Sequence, residues 1–355
     1  MQVKLIYYTP EYHKLIEGVA RVCYQSYDKL SPTSHSMIKG IMKKGHLSVA
    51  SVGNVVFEVD IAGASSEDML SLLETMAAFK EINNYIRWTT PTNKKARQDV
   101  ITISMNLLTL LDIIDNIVDY NTSPFLLDGI LGEVSKVPCL AWLCGLTDEI
   151  PASDSPYIGE PKLRKPVILT EDYTTLKDLG LTEYELEVHS TFTVDFVTDR
   201  ASGLQTWRHA DMTGGCELSQ RYCDLSNAEV REMEGVNKYP EGLAEYAEKV
   251  GITYEEATQH YDAVMESIYN RYTDTIKYYS DTVKTLKELG VSGKRAKEIA
   301  RSVLPNAITT RIIQCRPLKQ WKHFIDLRAT VHAQPEIQQD AKAVMKAFTK
   351  VGVEL

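Results

Sequence analysis

The sequence predicts an α+β protein. Three observations carry this reading: β-branched or alternating runs fall at two separated places, 3–61 and 185–197; helical periodicity fills most of the rest; and one apolar rhythm from Thr253 to Gly290 is long enough for a single extended helix. With 355 residues, 44% hydrophobic and 25% charged, the chain has ample material for a core, which excludes disordered, collagenous and disulfide-scaffold classes.

Taken in order, Val3–Tyr7 reads as a first strand, and Leu15, Ile16, Val19 and Val22 place a helix over 11–24. A helix from Ser36 stops at Gly45, and Ala50–Ile61 alternates as a strand. Ser66, followed by Glu67 and Asp68, opens a helix that runs to about Lys80. Ile101–Tyr120 reads as helical. Four prolines between Pro151 and Pro166 mark an irregular excursion and the best candidate boundary. Beyond it, Glu185–Val197 alternates as a strand, and Asp199–Ala210 reads as a helix carrying Gln205, Arg208 and His209 near its end. Thr253 and Glu256 form a capping box for the long helix, and three more helices follow over 292–303, 318–327 and 335–348. The run SMNLLTLLDII at 104–114 loosely echoes LKQWKHFIDLR at 318–328, without a sustained repeat.

Charge and cysteine usage narrow the function classes. Lys and Arg number 39 against 48 Asp and Glu, a net charge of −9, and no basic block favours non-specific nucleic-acid binding, so an anionic ligand would be small and held by a local arginine cluster. The longest apolar stretch, Ile101–Val118, is interrupted by Asn106, Asp112, Asp115 and Asn116, so no membrane span is expected. The start lacks the pattern of a secretory signal, and the six cysteines form no CxxC pair; thiols and a cytoplasmic location are expected, with no metal.

The densest chemistry lies in Trp207–Tyr222, WRHADMTGGCELSQRY. Gly214 and Gly215 permit positive φ, so the chain can bend around a ligand while Ser219 and Arg221 present a hydroxyl and a guanidinium to a phosphate. The same arginines also read as surface ion-pair partners of nearby acids, and the residues alone leave both readings open. His46 reads equally as a helix cap, His189 as a half-buried structural residue, and the Tyr272, Tyr278 and Tyr279 group as packing.

This stretch resembles the signature of the flavin-dependent thymidylate synthases, RHR-x-x-S-x-N-x-x-S-x-R-Y: Arg208 and His209 match its opening, and Glu217, Ser219, Arg221 and Tyr222 its close. ARVCYQS at 20–26, Gly45-His46-Leu47-Ser48, HSTFTVDF at 189–196, ARSVLP at 300–305 and the Leu327-Arg328 and His332–Ile337 run are similar to further family blocks in order and spacing. They cover 1–50 and 185–350, so the chain reads as one domain interrupted by an insertion at about 55–185.

The resemblance implies the family's fold, a mixed or antiparallel sheet with packed helices around a long central one, in a homotetramer with FAD at subunit junctions. It implies that NADPH reduces the flavin and that 5,10-methylenetetrahydrofolate supplies one carbon to C5 of dUMP. Carried over, His46, Arg208, His209, His323 and His332 would bind cofactor. Gln205, Glu217, Ser219, Arg221 and Arg301 would bind nucleotide, with Arg221 on its phosphate, and Arg328 would face the pyrimidine as the catalytic residue. An arginine there can stabilise enolate-like charge as C5 becomes nucleophilic.

The chain departs from the family at Ala210, where the signature has its third Arg, in a loop one residue longer before Glu217, and at Gly214, Cys216, Pro317 and His323, which replace Ser or Asn positions. Arg311 is a candidate substitute for the missing cation. Two further functions stay open: another C5 modification of dCMP or dUMP, such as hydroxymethylation or hydroxylation, and a non-catalytic nucleotide-binding module.

Overall fold

In the computed structural model the described residues are 1–29, 35–43, 45–91, 97–116, 124–151, 159–208, 211–233 and 238–353. Their strands form two four-stranded antiparallel sheets, one from the first half of the chain and one from the second. β1 (Gln2–Tyr8), β2 (Val55–Asp60), β3 (Arg87–Thr89) and β4 (Val100–Met105) make the first sheet in the order β1-β2-β4-β3. β5 (Val167–Glu171), β6 (Thr191–Asp199), β7 (Gly214–Glu217) and β8 (Thr309–Pro317) make the second in the order β5-β6-β8-β7. Residues 55–105, read above as the start of an insertion, thus supply three of the first sheet's strands.

The helices of the first half are α1 (Tyr12–Tyr24), α2 (His35–Lys43), α3 (Ser66–Ile82), α4 (Leu107–Asn116), α5 (Pro124–Val134) and α6 (Pro138–Leu143). Those of the second are α7 (Tyr173–Asp178), α8 (Glu183–His189), α9 (Arg200–Trp207), α10 (Leu243–Val250), α11 (Tyr254–Glu288), α12 (Gly293–Ala300), α13 (Leu318–Arg328) and α14 (Pro335–Lys350). Capping boxes start α3 at Ser65/Asp68, α8 at Thr182/Glu185 and α11 at Thr253/Glu256, each satisfying amides that a first helical turn leaves open. α11 is one 35-residue helix, as its rhythm predicts, but of its apolar stripe only Tyr279 and Val283 are buried, while Val264 and Tyr278 are exposed.

Three sequence assignments are corrected. Residues 100–105 form a strand and the helix begins only at Leu107: Ile101, Ile103 and Met105 alternate with Thr102 and Ser104, a period of two, and both faces are buried, the polar one against Glu185 and His189. Residues 183–189 are helical because the Thr182/Glu185 box nucleates α8, and the strand starts at Thr191. The strand read over 50–61 begins at Val55, after a 3-10 turn over Leu47–Ser51.

The first sheet packs against α1, α4 and α5 around Leu15, Phe57, Phe79, Leu110 and Ile130. The second packs on α13 and α14, where Phe192 stacks on Phe348 at 4.4 Å and Trp321 meets it edge-on. Between the sheets runs a buried polar seam. Asn54 donates Nδ2 to Asp172 Oδ2 at 2.7 Å and to the His189 carbonyl at 2.8 Å, and accepts from Arg87 Nη2 at 2.8 Å. The His189 ring lies between Thr89 Oγ1 (2.9 Å from Nε2) and Ser104 Oγ (2.8 Å from Nδ1). Arg97 grips Glu185 through Nε, Glu58 through Nη1 and Thr102 through Nη2.

His189 is therefore fully buried and structural. Burial, and then the charges of Arg87 and Arg97, hold its pKa well below 6.5. A ring kept neutral in the folded state and free to protonate in the unfolded one contributes stability present above pH 6.5 and lost as pH falls toward the folded value. Asp172, pushed up to about 7 by burial against the opposing pull of its bonds from Asn54 and Thr191, acts with the opposite sign, losing stability as pH rises from about 4 through 7. We expect His189→Gln to flatten the stability loss between pH 6.5 and 5 by up to about 1.4 kcal/mol per pH unit relative to wild type, measured by urea unfolding. Parallel pH profiles for the two proteins would refute the assignment.

Candidate functional site

The signature segment is built from the end of α9 onward. The Asp199 side chain caps α9 by accepting from Ser202 N at 2.8 Å, and the helix ends at Trp207 rather than Ala210. β7 then runs antiparallel to β8, with Gly214 opposite Cys315 and Glu217 opposite Ile312. The two glycines are required by protein, not by a ligand bend. A Cβ on Gly214 would lie 1.7 Å from the Ser51 carbonyl oxygen; one on Gly215, at φ +139°, would lie 1.9 Å from that of Ile313.

The first half of the chain holds this segment along its whole length. Tyr85 Oη donates to the Thr213 carbonyl at 2.6 Å, Ser51 Oγ accepts from Gly215 N at 3.0 Å, and Cys216 Sγ donates to the Val19 carbonyl at 3.2 Å. Ser219 N donates to the Cys23 carbonyl at 3.0 Å, and Tyr222 meets Tyr24 edge-on at 5.1 Å. Cys216 is buried, and its bond with the Cys23 thiol together with burial pushes its pKa well above the ordinary thiol value.

The predicted site residues fall into two main groups. Arg208, exposed just past α9, joins His323 of α13 in a cleft of ≈ 330 Å³ that is also lined by Asp211, Lys319 and Gln320. Three basic side chains against one acid suit an anion such as a diphosphate. Lys319 and Gln320 escaped the sequence reading, although Lys319 stands one turn before His323 on α13 and shares its face.

The second group lies where residues 219–222 meet α12. Arg221 Nε donates to Glu298 Oε1 at 2.8 Å, and Ser219 Oγ accepts from the Arg221 amide at 3.4 Å. Lys294 lies over the Tyr222 ring at 5.1 Å, Lys297 donates to the Tyr222 carbonyl at 2.5 Å, and Arg295 pairs with Glu298. Arg301, exposed, directly follows this helix. Both readings of Arg221 meet here: it is ion-paired, within a strongly basic cluster of an acidic protein.

The remaining residues stand elsewhere. Gln205 Nε2 donates to Gln334 Oε1 at 2.8 Å, and Glu217 pairs with Arg200 while accepting from Thr310 Oγ1 at 3.0 Å. Arg328 is half-buried at the last residue of α13, and His332 is exposed before α14. His46 is exposed at the start of the 3-10 turn that backs β7, with no side-chain capping bond there. His209 lies outside the described residues. Arg311 is corrected as a substitute cation: its guanidinium is committed to Asp195, the Tyr27 hydroxyl at 3.0 Å and the Gly159 carbonyl at 2.7 Å.

Residues 185–352 match the family model described as Thymidylate synthase complementing protein. The flavin-dependent thymidylate synthase of Mycolicibacterium gilvum (strain PYR-GCK) is 32% identical over 139 residues, 39% of this chain and 50% of that protein. That of Mycobacterium avium (strain 104) is 30% identical over 138 residues, 38% and 48% of the two chains, and that of Corynebacterium diphtheriae 49% over 45 residues, 13% and 18%. The chain spans about half the length, or less, of these curated relatives.

The glycine contacts make a direct prediction. Gly214→Ala forces a Cβ into the Ser51 backbone, which cannot yield as a flexible side-chain tip would, and is expected to destabilise the protein by about 2 kcal/mol or more. Chemical unfolding of the variant checks this; an unchanged midpoint would show that β7 is not seated on the first half.

Proposed function

We propose, from the match of residues 185–352 to the family model and the similarity to flavin-dependent thymidylate synthases, that the protein transfers one carbon to C5 of a pyrimidine deoxynucleoside monophosphate, converting dUMP to dTMP. The observation that carries the proposal is the placing of family signature residues in two basic surfaces of an otherwise acidic chain, Arg208 with Lys319 and His323, and Arg221 with α12.

In this reading Arg221, Ser219 and Arg301 receive the nucleotide phosphate. The exposed Arg221–Glu298 pair is of a kind that water and salt screen, so a dianion can exchange for the carboxylate at little cost. Arg208 and His323, with Lys319, would hold the flavin dinucleotide through its diphosphate; His46, His209 and His332 complete the cofactor set, and Gln205 and Glu217 the nucleotide set. A flavin held by these residues would supply hydride-transfer chemistry, with NADPH as the reductant and 5,10-methylenetetrahydrofolate as the carbon donor. Arg328 would face the pyrimidine carbonyl edge, where a fixed guanidinium stabilises the charge that develops as C5 turns nucleophilic. In this reading the enzyme works as a homotetramer in the cytoplasm. No helix among the described residues is long and apolar enough to cross a membrane.

The purified protein is expected to be yellow or to take up added FAD, and Arg208→Ala to weaken flavin binding tenfold or more, the scale of one charge-assisted hydrogen bond. Colourless protein that refuses FAD would refute the flavin assignment.

For the nucleotide, dUMP should outcompete deoxyuridine by orders of magnitude in calorimetry, because a site built of paired polar groups rejects a ligand that leaves them unmatched. Arg221→Ala is expected to act mainly on binding and Arg328→Ala to lower kcat by about 100-fold. Tight binding of the nucleoside would overturn the phosphate site. A product derived from dCMP, identified by mass, would move the assignment to another C5 modification.

A further inference from the structure

The two sheets agree in more than strand order. In the first, Leu5 faces Phe57 and Tyr7 faces Val56, so Ile6 is bulged; in the second, Ile168 faces Val194 and Thr170 faces Thr193, so Leu169 is bulged. Matching Phe57 to Val194 brings Val55 onto Phe192, and their partners Met105 and Arg316 onto each other. The third strands then fall into line without adjustment: Arg87 pairs with Ser104 as Gly214 pairs with Cys315. Two residues beyond Met105 and Arg316 stand Leu107 and Leu318, each opening a helix that buries the same positions, Leu107, Leu110 and Ile113 in α4 and Leu318, Trp321 and Phe324 in α13. The faint echo between 104–114 and 318–328 falls on the same two segments but three residues out of this register, so the match rests on strand pairing and helix burial. A bulge is a local irregularity that chance does not place twice in one register.

The contacts between the halves are reciprocal as well. The 3-10 turn Leu47–Ser51, just before β2, backs β7, where Ser51 Oγ accepts from Gly215 N. Its counterpart α8, just before β6, backs β3 and β4, where His189 lies between Thr89 and Ser104. The same element of each half touches the same region of the other, which is the contact pattern of a twofold interface.

We propose that the chain is two copies of one unit fused into a pseudo-twofold pair, in which the first copy acts as the built-in partner that positions the second copy's 213–219 segment. Residues 55–116 then complete a unit rather than interrupt one. In the first copy the stretch equivalent to 208–213 is reduced to 83–86, and the Gly214 position is Arg87, whose guanidinium fills the seam by donating to Asn54 Oδ1 and the Val188 carbonyl. The first copy also connects its third and fourth strands through 90–99, where the second inserts 218–308 with α10, α11 and α12.

Ser51 and Tyr85 are positioning residues in this pairing, and the test reads them without any cofactor. In full-length Ser51→Ala and Tyr85→Phe proteins, amide hydrogen exchange over 213–217 is expected to quicken tenfold or more while exchange in β1, β2 and β4 is unchanged. Unaltered exchange over 213–217 in both variants would overturn the proposal. In a second measurement, a protease site placed within 152–158 of the full chain is cut after purification. The two pieces should stay together on gel filtration, separate in moderate urea, and on its removal reassociate with protection of 213–217 restored; failure to reassociate would overturn it. Neither readout needs flavin or nucleotide, so loss of the chemistry proposed above would leave this inference standing, and its own failure would leave that chemistry untouched.

Discussion

The seating of β7 on the first half of the chain is the constraint from which the rest of the site follows. β7 is a short edge strand, and by itself an edge leaves one side of its backbone without partners. Here Ser51 Oγ takes the Gly215 amide of the strand itself, the Val19 carbonyl takes the Cys216 thiol, and Tyr85 and the Cys23 carbonyl hold the flanking Thr213 and Ser219 backbone, so a loop-like signature is fixed along its length. Glycine at 214 and 215 is the condition for that approach, since backbone meets backbone there with no room for a Cβ. The two basic surfaces hang from the two ends of this fixed segment: Arg208 precedes it and Arg221 follows it.

The seam behind it is polar, and its polarity serves register rather than bulk stability. Asn54 uses both amide hydrogens and its oxygen on partners from three other elements, and Arg97 bridges Glu58 of one sheet to Glu185 of the other half. Buried charges gain little over apolar packing when matched, but any slip that leaves one unmatched costs several kcal/mol. Sliding one half against the other by a residue would strand Arg87, Arg97, Asp172 and His189 together. The apolar clusters on either side hold each half; the seam fixes how they meet.

How much of this was legible in the sequence depended on whether the signal was local. The capping box at Thr253 is a four-residue pattern and was read, the same pattern at Thr182 was passed over in favour of a strand, and the long helix announced itself by its rhythm, although the rhythm did not reveal that most of its stripe lies outside the core. β4 kept its alternation of Ile101, Ile103 and Met105 with Thr102 and Ser104, but the run leads almost directly into the apolar rhythm of α4 and was absorbed into that helix. The signature residues were found by resemblance, yet the ligand-like bend assigned to Gly214 and Gly215 was in fact a contact with Ser51 and Ile313, distant in sequence and visible only once the chain is folded. Arg311 was chosen on spacing, and spacing cannot see Asp195 across the sheet. Lys319 was missed for the converse reason: its role depends on Arg208, a residue from a different helix.

Arg87 standing in the first sheet where Gly214 stands in the second has a consequence of its own. In an assembly of identical chains every substitution is made on both sides of the axis at once, so a residue that improves one face is imposed on the other. Within a single polypeptide the two sides drift independently. One strand can keep a bare backbone for close approach while its counterpart takes up the bulkiest cation available and plugs the opposite gap. Asymmetry of that kind lets one half be selected for firmness and the other for chemistry, a separation of tasks that a strictly symmetric pair has no means to reach.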